Sequence, residues 1–264
     1  MKGLNFDNKK PIIGMVHCLA LPGTPNFCGD MKKVTSQAVE DAITLEKAGM
    51  DAIIIENMGD ATFGTTLDIE QSCALAAISA VVAQNVSIPI GIDAAMNDYA
   101  TAFSIAKAVD ADFIRIPVFV DTVEFFGGII QPCAREALKF RKNLDATHVK
   151  ILADIQVKHT HMLLPHVTVE DSAKAAEACG ADAIIVTGTH IGAETPIEMI
   201  KRVKQVTKLP VIAGSGVKTA NIKEQMKIAD GAIVGSSLKV GGILENPISL
   251  ELCKELLEAR NPQV

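Results

Sequence analysis

Four times along the chain a helix end, a small turn and an apolar run recur in that order: AGMDAIIIE (Ala48–Glu56), VDADFIRI (Val109–Ile116), CGADAIIV (Cys179–Val186) and IADGAIVG (Ile228–Gly235). Three more runs open on proline, at Lys10–Gly14, Ile88–Gly91 and Leu209–Ala213, and VKILADI (Val149–Ile155) completes a set of eight. These runs are continuously apolar, without polar alternation. That is the pattern of strands covered on both faces, as in a parallel sheet. Helical segments fall between them: Thr35–Ala48, with a Thr/Ser cap, then Ile69–Gln84, Asp98–Val109, Ala134–Asn143, Val169–Cys179, Pro196–Val206, Thr219–Ile228 and Pro247–Arg260. Eight strands alternating with eight helices predict a single (β/α)8 domain, the TIM barrel, with a parallel eight-stranded core. A doubly wound open sheet is the alternative, and it is weakened because no GxGxxG follows an early strand. The length of 264 residues is close to the roughly 250 of one such barrel.

Composition sets limits on partners. The net charge is −6 and no basic cluster stands out, which argues against a nucleic-acid surface. No run reaches membrane-spanning length and the N-terminus lacks a signal-peptide core, so a cytoplasmic protein without membrane insertion is expected. The six cysteines are scattered and form no CxxC pair, which disfavours a zinc or disulfide framework. Barrels of this size often associate, so a homo-oligomer is expected.

In a barrel of this kind the C-terminal strand ends and the loops after them face the active site. Two consecutive runs near the end of the chain finish in Gly214-Ser215-Gly216 and Gly235-Ser236-Ser237. Loops after strands seven and eight commonly bind phosphate through backbone N–H groups. Glycine allows close approach and serine adds a hydroxyl. The bland reading is a pair of tight turns. Together the six residues predict a site for a small phosphorylated ligand.

The other strand ends carry charge. Glu56 follows four apolar residues, Asp93 ends the third run, Arg115 lies in the fourth, and Asp154 ends the fifth, followed by Lys158 and His159. An ionised carboxylate at a buried strand end is costly unless paired, and Lys158 and His159 are the expected partners of Asp154. Glu56, Asp154 and His159 are the expected proton-transfer groups, with Arg115 and Lys158 stabilising negative charge. For Glu56 a structural salt bridge to Arg115 stands as the alternative. No cofactor is firmly indicated. A divalent metal held by His17, Glu56, Asp93 and Asp154 is the second enzymatic reading, a metal-assisted hydrolase. His190 and Glu194 are candidates for a lid.

With these residues in view the chain resembles the BtpA/SgcQ family over nearly its whole length. KPIIGMVHCLALPGTP (Lys10–Pro25) is similar to the family's opening I-G-M-x-H and L-P-G-x-P signature, and DAIIIEN (Asp51–Asn57) resembles its second strand. The D-x-x-x-K-H stretch Asp154–His159, then AGSGV (Ala213–Val217), Asn221 and ADGAIVGSSLKVGG (Ala229–Gly242) match its later motifs. The chain departs from the family in GIDAAMND, where Met96 stands in place of a frequent arginine, and in Arg115-Ile116-Pro117, where Arg-x-Asn is frequent. The resemblance implies a barrel. Through the family's name it also implies photosystem I biogenesis, with other branches accompanying sugar metabolism. It implies no single reaction: isomerisation, aldol-type cleavage and hydrolysis of a phosphorylated metabolite all fit, and so does a non-catalytic assembly or regulatory factor.

Overall fold

The structure is a computed structural model that describes residues 3–6, 10–188 and 194–260. Eight parallel strands close into a barrel: β1 (Ile12–His17), β2 (Ala52–Glu56), β3 (Ile90–Asp93), β4 (Phe113–Ile116), β5 (Lys150–Ile155), β6 (Ala183–Val186), β7 (Val211–Ala213) and β8 (Gly231–Val234). Each pairs with its chain neighbours, and β8 returns to β1 through Ile12↔Ala232, Ile13↔Ile233 and Gly14↔Val234. Helices follow the strands: α1 (Met31–Ala48), α2 (Ile69–Asn85), α3 (Tyr99–Val109), α4 (Ala134–Asn143), α5 (Val169–Ala178), α6 (Ile197–Lys204), α7 (Ile222–Ile228) and α8 (Leu250–Arg260). The expected TIM barrel is therefore the observed fold. The first helix starts four residues before Thr35. Asp30 caps it by accepting from the N–H groups of Lys32 and Lys33, which a reading centred on Thr35 overlooks.

The recurring sequence unit has a physical cause at the bottom of the barrel. Asp51, Asp112, Asp182 and Asp230 stand just before the even strands. Each accepts a hydrogen bond from an N–H at the start of the preceding odd strand: Ile12 at 2.9 Å, Ile90 at 3.1 Å, Ile151, second in β5, at 2.8 Å and Val211 at 2.9 Å. The proline carbonyls of the odd strands accept in turn, Pro11 from Ala232, Pro89 from Ile53 and Pro210 from Ile184. An N–H at the start of a strand would otherwise lack a ladder partner, and these aspartates satisfy it.

Strand residues alternate between the barrel interior and the helix layer. Ile13, Met15, Ile54, Phe113, Leu152, Ile185, Ile212 and Ile233 fill the interior. Phe113 occupies its centre at the expense of Gly91, where a Cβ would lie 2.1 Å from the phenyl ring. The outward residues form a larger core with the helices. An element not foreseen in the sequence lies near the mouth. The segments Val123–Phe125, Gly128–Ile130 and His161–Met162 make a small antiparallel sheet on the loops after β4 and β5.

Candidate active site at the barrel mouth

Two residues above the interior apolar layer, the same strand parity brings polar side chains inward. His17, Glu56 and Asp93 are register partners across β1, β2 and β3. All three are buried, as are Arg115 on β4 and Asp154 on β5. They line or underlie a cavity of about 760 Å³ whose opposite wall is made by Gly214–Lys218 and Gly235–Ser237. The sequence-predicted charged strand ends and the Gly/Ser loops therefore meet in one place.

The pairings differ from those expected. Arg115 grips Asp154 through Nε to Oδ1 at 2.8 Å and Nη2 to Oδ2 at 2.9 Å, and its Nη1 stands 3.4 Å from Asp93. Asp154 thus takes its partner from the neighbouring strand, in place of Lys158 or His159. Glu56 pairs with His17, Oε2 to Nε2 at 3.4 Å, in place of Arg115. His159 is exposed on the rim at positive φ, and Lys158 is partly buried beside the cavity. Burial acts against charge on Glu56, but the hydrogen bond and charge of His17, aided by Arg115 and Lys158, pull its carboxyl below the usual range. Asp93 goes the other way. Burial and the nearby charge of Glu56 push its carboxyl well up, against Arg115, and both its oxygens lack a hydrogen-bond partner among the described residues. Burial also raises Asp154, which the Arg115 fork offsets in part. Burial and the charge of Arg115 lower the Lys158 ammonium.

The four residues of the alternative metal reading lie in other pairings, His17 with Glu56, and Asp93 and Asp154 with Arg115. Among the described residues no three His, Cys, Asp or Glu side chains are grouped to hold a metal ion. The guanidinium of Arg115 bridges Asp93 and Asp154, and a second cation beside it would be repelled. Cys18, buried just after β1, has its thiol pushed strongly up by burial and by Asp60 and Glu56, which disfavours the thiolate.

The Gly/Ser loops divide their groups between structure and ligand. Gly214 spends its N–H on Val186, the Ser215 hydroxyl accepts from Gly188 N–H at 2.6 Å, and the Ser237 hydroxyl donates to Val217 at 2.7 Å. The N–H groups of Gly216, Ser236 and Ser237 make no hydrogen bond among the described residues, and all three line the cavity. Gly235 is required by closeness: a Cβ there would lie 2.7 Å from Cε1 of His17. Behind this turn Lys239 is fully buried against Asp41, which also accepts from Ile248 N–H at 2.7 Å. The loop after β8 is thereby fixed to α1.

Further side-chain ties run around the rim. Asn57 exchanges two hydrogen bonds with the backbone of Ala95, and Asn97 does the same with Val118. Asp121 accepts from Gln156 N–H, and Thr187 accepts from Lys158 N–H. With Ser215 and Ser237, each loop from β2 to β8 is bound to the next. Such ties hold a site in one geometry before any ligand arrives. Sequence reading missed Lys218, whose loop position beside the Gly/Ser turn is its only sequence signal, and the apolar wall that Phe63, Phe125 and Phe126 form with Met96. Of the two lid candidates, Glu194 accepts from Gln225 on α7, while His190 lies outside the described residues.

The model of the BtpA family matches residues 8–261. The chain belongs to the BtpA family. Among its relatives, an uncharacterised protein of Pyrococcus abyssi is 42% identical over 92% of this chain and 92% of its own length. The Photosystem I biogenesis protein BtpA of Synechocystis is 34% identical over 96% of this chain and 89% of its own. Among solved structures, thiamine phosphate pyrophosphorylase from Pyrococcus furiosus superposes with a TM-score of 0.60 at 17% identity, covering 97% of this chain and 98% of that one. At that identity the likeness concerns the fold alone. The BtpA family resemblance read from the opening and closing motifs thus extends through the whole barrel.

Proposed function

We propose that this BtpA-family barrel is an enzyme acting on a small phosphorylated metabolite by proton transfer at its C-terminal face. One observation carries the reading. A single cavity joins unengaged N–H groups at Gly216, Ser236 and Ser237 to a pair of adjacent carboxyls pushed in opposite directions. The N–H groups would hold the phosphate. Glu56, kept ionised and oriented by His17, is the general base. Asp93, kept protonated, is the general acid or the donor to a developing oxyanion. Arg115 and Lys158 stabilise negative charge, with Asp154 fixing the guanidinium. Isomerisation and aldol-type cleavage both use such a set. His159, on the rim, is better placed to meet the outer part of a ligand than to move a proton at the floor.

The rival reading is a non-catalytic assembly factor, as the name of the Synechocystis relative suggests for that protein. It calls for a large apolar patch away from the mouth. Of the nine large apolar side chains exposed among the described residues, only Val81 lies away from the loops and helix starts of the mouth end. The deciding experiment is a crystal grown in phosphate or sulfate. The expected result is an anion against Gly216, Ser236 and Ser237; an anion that avoids these groups at high concentration would overturn the reading.

A further inference from the structure

The cavity has two chemically different ends. Facing the Gly/Ser loops is an apolar wall of Phe63, Met96, Phe125, Phe126 and Val157. Three of the nine phenylalanines of a chain with no tryptophan line this one cavity. Phe125 is buried in a small satellite core with Met96, Val123, Ile130 and Val157. Phe126, next in the chain, is 66% exposed, with its ring 3.8 Å from that of Phe125 and tilted by 38°. The hairpin of Val123–Phe125 and Gly128–Ile130 holds it there. A large ring left uncovered over a cavity forfeits burial that a ligand would restore.

Beneath this wall the floor is polar. Both oxygens of Asp93 lack a hydrogen-bond partner among the described residues, although the side chain is only 1% exposed. Lys158 lines the same space. An alkyl chain would cover the wall and leave Asp93 unsatisfied, whereas a bare sugar would satisfy Asp93 and leave the wall wet. A volume of about 760 Å³ also exceeds what a phosphate with a few carbons needs, and falls within the roughly 300–1,000 Å³ of sites for larger ligands.

Resting on the phosphate reading above, we propose that the substrate is the phosphate ester of a planar ring compound. The ring stacks on Phe126, and its hydrogen-bonding edge turns to Asp93 and Lys158. Stacking on phenylalanine tolerates many rings, so the polar floor supplies the selectivity.

The test compares ligands that differ only in the ring. Uridine and adenosine 5′-monophosphates are titrated calorimetrically against ribose 5-phosphate and inorganic phosphate, on the full chain and on Phe126→Ala. Because Phe126 is exposed, the variant is expected to fold. We expect at least one nucleotide to bind on the order of tenfold tighter than ribose 5-phosphate, in competition with inorganic phosphate. Phe126→Ala should remove that advantage and leave ribose 5-phosphate binding unchanged. If ribose 5-phosphate binds as tightly as both nucleotides, or Phe126→Ala weakens all ligands equally, the ring proposal falls and the phosphate reading stands. If neither inorganic phosphate nor any of the esters binds, both fall.

Discussion

Glu56 and Asp93 are register partners on adjacent parallel strands, and their carboxyls are pushed in opposite directions. Both are buried, so burial alone would raise both. The difference is the neighbour. Glu56 has His17 at 3.4 Å, a donor aimed at its Oε2. Asp93 has the Arg115 guanidinium at the same distance, but that group is already committed to both oxygens of Asp154. Two like carboxyls side by side cannot both ionise cheaply, and the one with the better partner keeps the charge.

This division makes the titration of Asp93 depend on Glu56. In Glu56→Gln the volume is kept and the charge removed, so the Asp93 midpoint should fall, because the charge of Glu56 is one of the causes that push it up. Carbon-13 NMR of the carboxyl groups reads it directly. A midpoint that does not move would show that burial alone raises Asp93 and that the two carboxyls are not coupled.

The same group sets a pH dependence of stability. An unfolded aspartate titrates near pH 3.9, whereas native Asp93 holds its proton well above that. The native state therefore binds more protons across the interval. The contribution of Asp93 is fully present below about pH 4 and is lost as pH rises through the native midpoint. Asp93→Asn is neutral throughout and should escape the loss. By urea unfolding it should match the wild type near pH 4 and exceed it by about 1–3 kcal/mol above the native midpoint. Parallel stability curves for the two proteins would sink the assignment of a protonated Asp93.

Arg115 and Asp154 should behave as a single unit. Removing one partner of a buried pair leaves an uncompensated charge, at a cost of about 3–5 kcal/mol. Arg115→Met and Asp154→Leu should each fall in that range, and the double variant should cost clearly less than their sum. A double-mutant cycle on unfolding free energies measures the coupling. Additive costs would mean that the two hydrogen bonds contribute little to holding the floor of the site.

Gly235 and His17 are coupled by space. Alanine at 235 would put its Cβ 2.7 Å from the His17 ring, so the ring must shift away from Glu56. The expected consequence is a rise in the Glu56 midpoint, because the hydrogen bond and charge of His17 are the largest influences holding it down. Histidine and carboxyl NMR titrations of Gly235→Ala check this. A Glu56 midpoint equal to that of the wild type would show that His17 is not what holds Glu56 ionised.

The sequence revealed what depends on parity and little of what depends on reach. A barrel strand here is an apolar run, and its inward parity ends in one polar residue, so His17, Glu56, Asp93, Arg115 and Asp154 stood out along the chain. Which of them pair could not be read off. Asp154 has Lys158 four residues away, yet its partner is Arg115, 39 residues earlier and brought alongside only by the β4–β5 pairing. The hairpin carrying Phe126 escaped notice because three-residue strands have too little periodicity to register. The rim ties by Asn57, Asn97 and Asp121 were hidden too, since an asparagine in a loop looks the same whether it faces water or the next loop.

The aspartates at the bottom of the barrel offer the contrasting case, where a residue recurs for stability and not for chemistry. Asp182 accepts from Ile151 N–H at 2.8 Å and pairs with Arg141 at 3.1 Å, at the face opposite the cavity. Asp182→Ala leaves the Ile151 N–H near the start of β5 without its acceptor, so unfolding should become easier by about 1–2 kcal/mol. The Asp93 midpoint should not change, because nothing at the mouth has moved. Combined with Glu56→Gln, the two stability changes should add to within about 0.5 kcal/mol, as for distant sites with no shared partner. If Asp182→Ala shifts the Asp93 titration, the bottom ring and the mouth are one mechanical unit, and the separation between stabilising and chemical faces does not hold in this barrel.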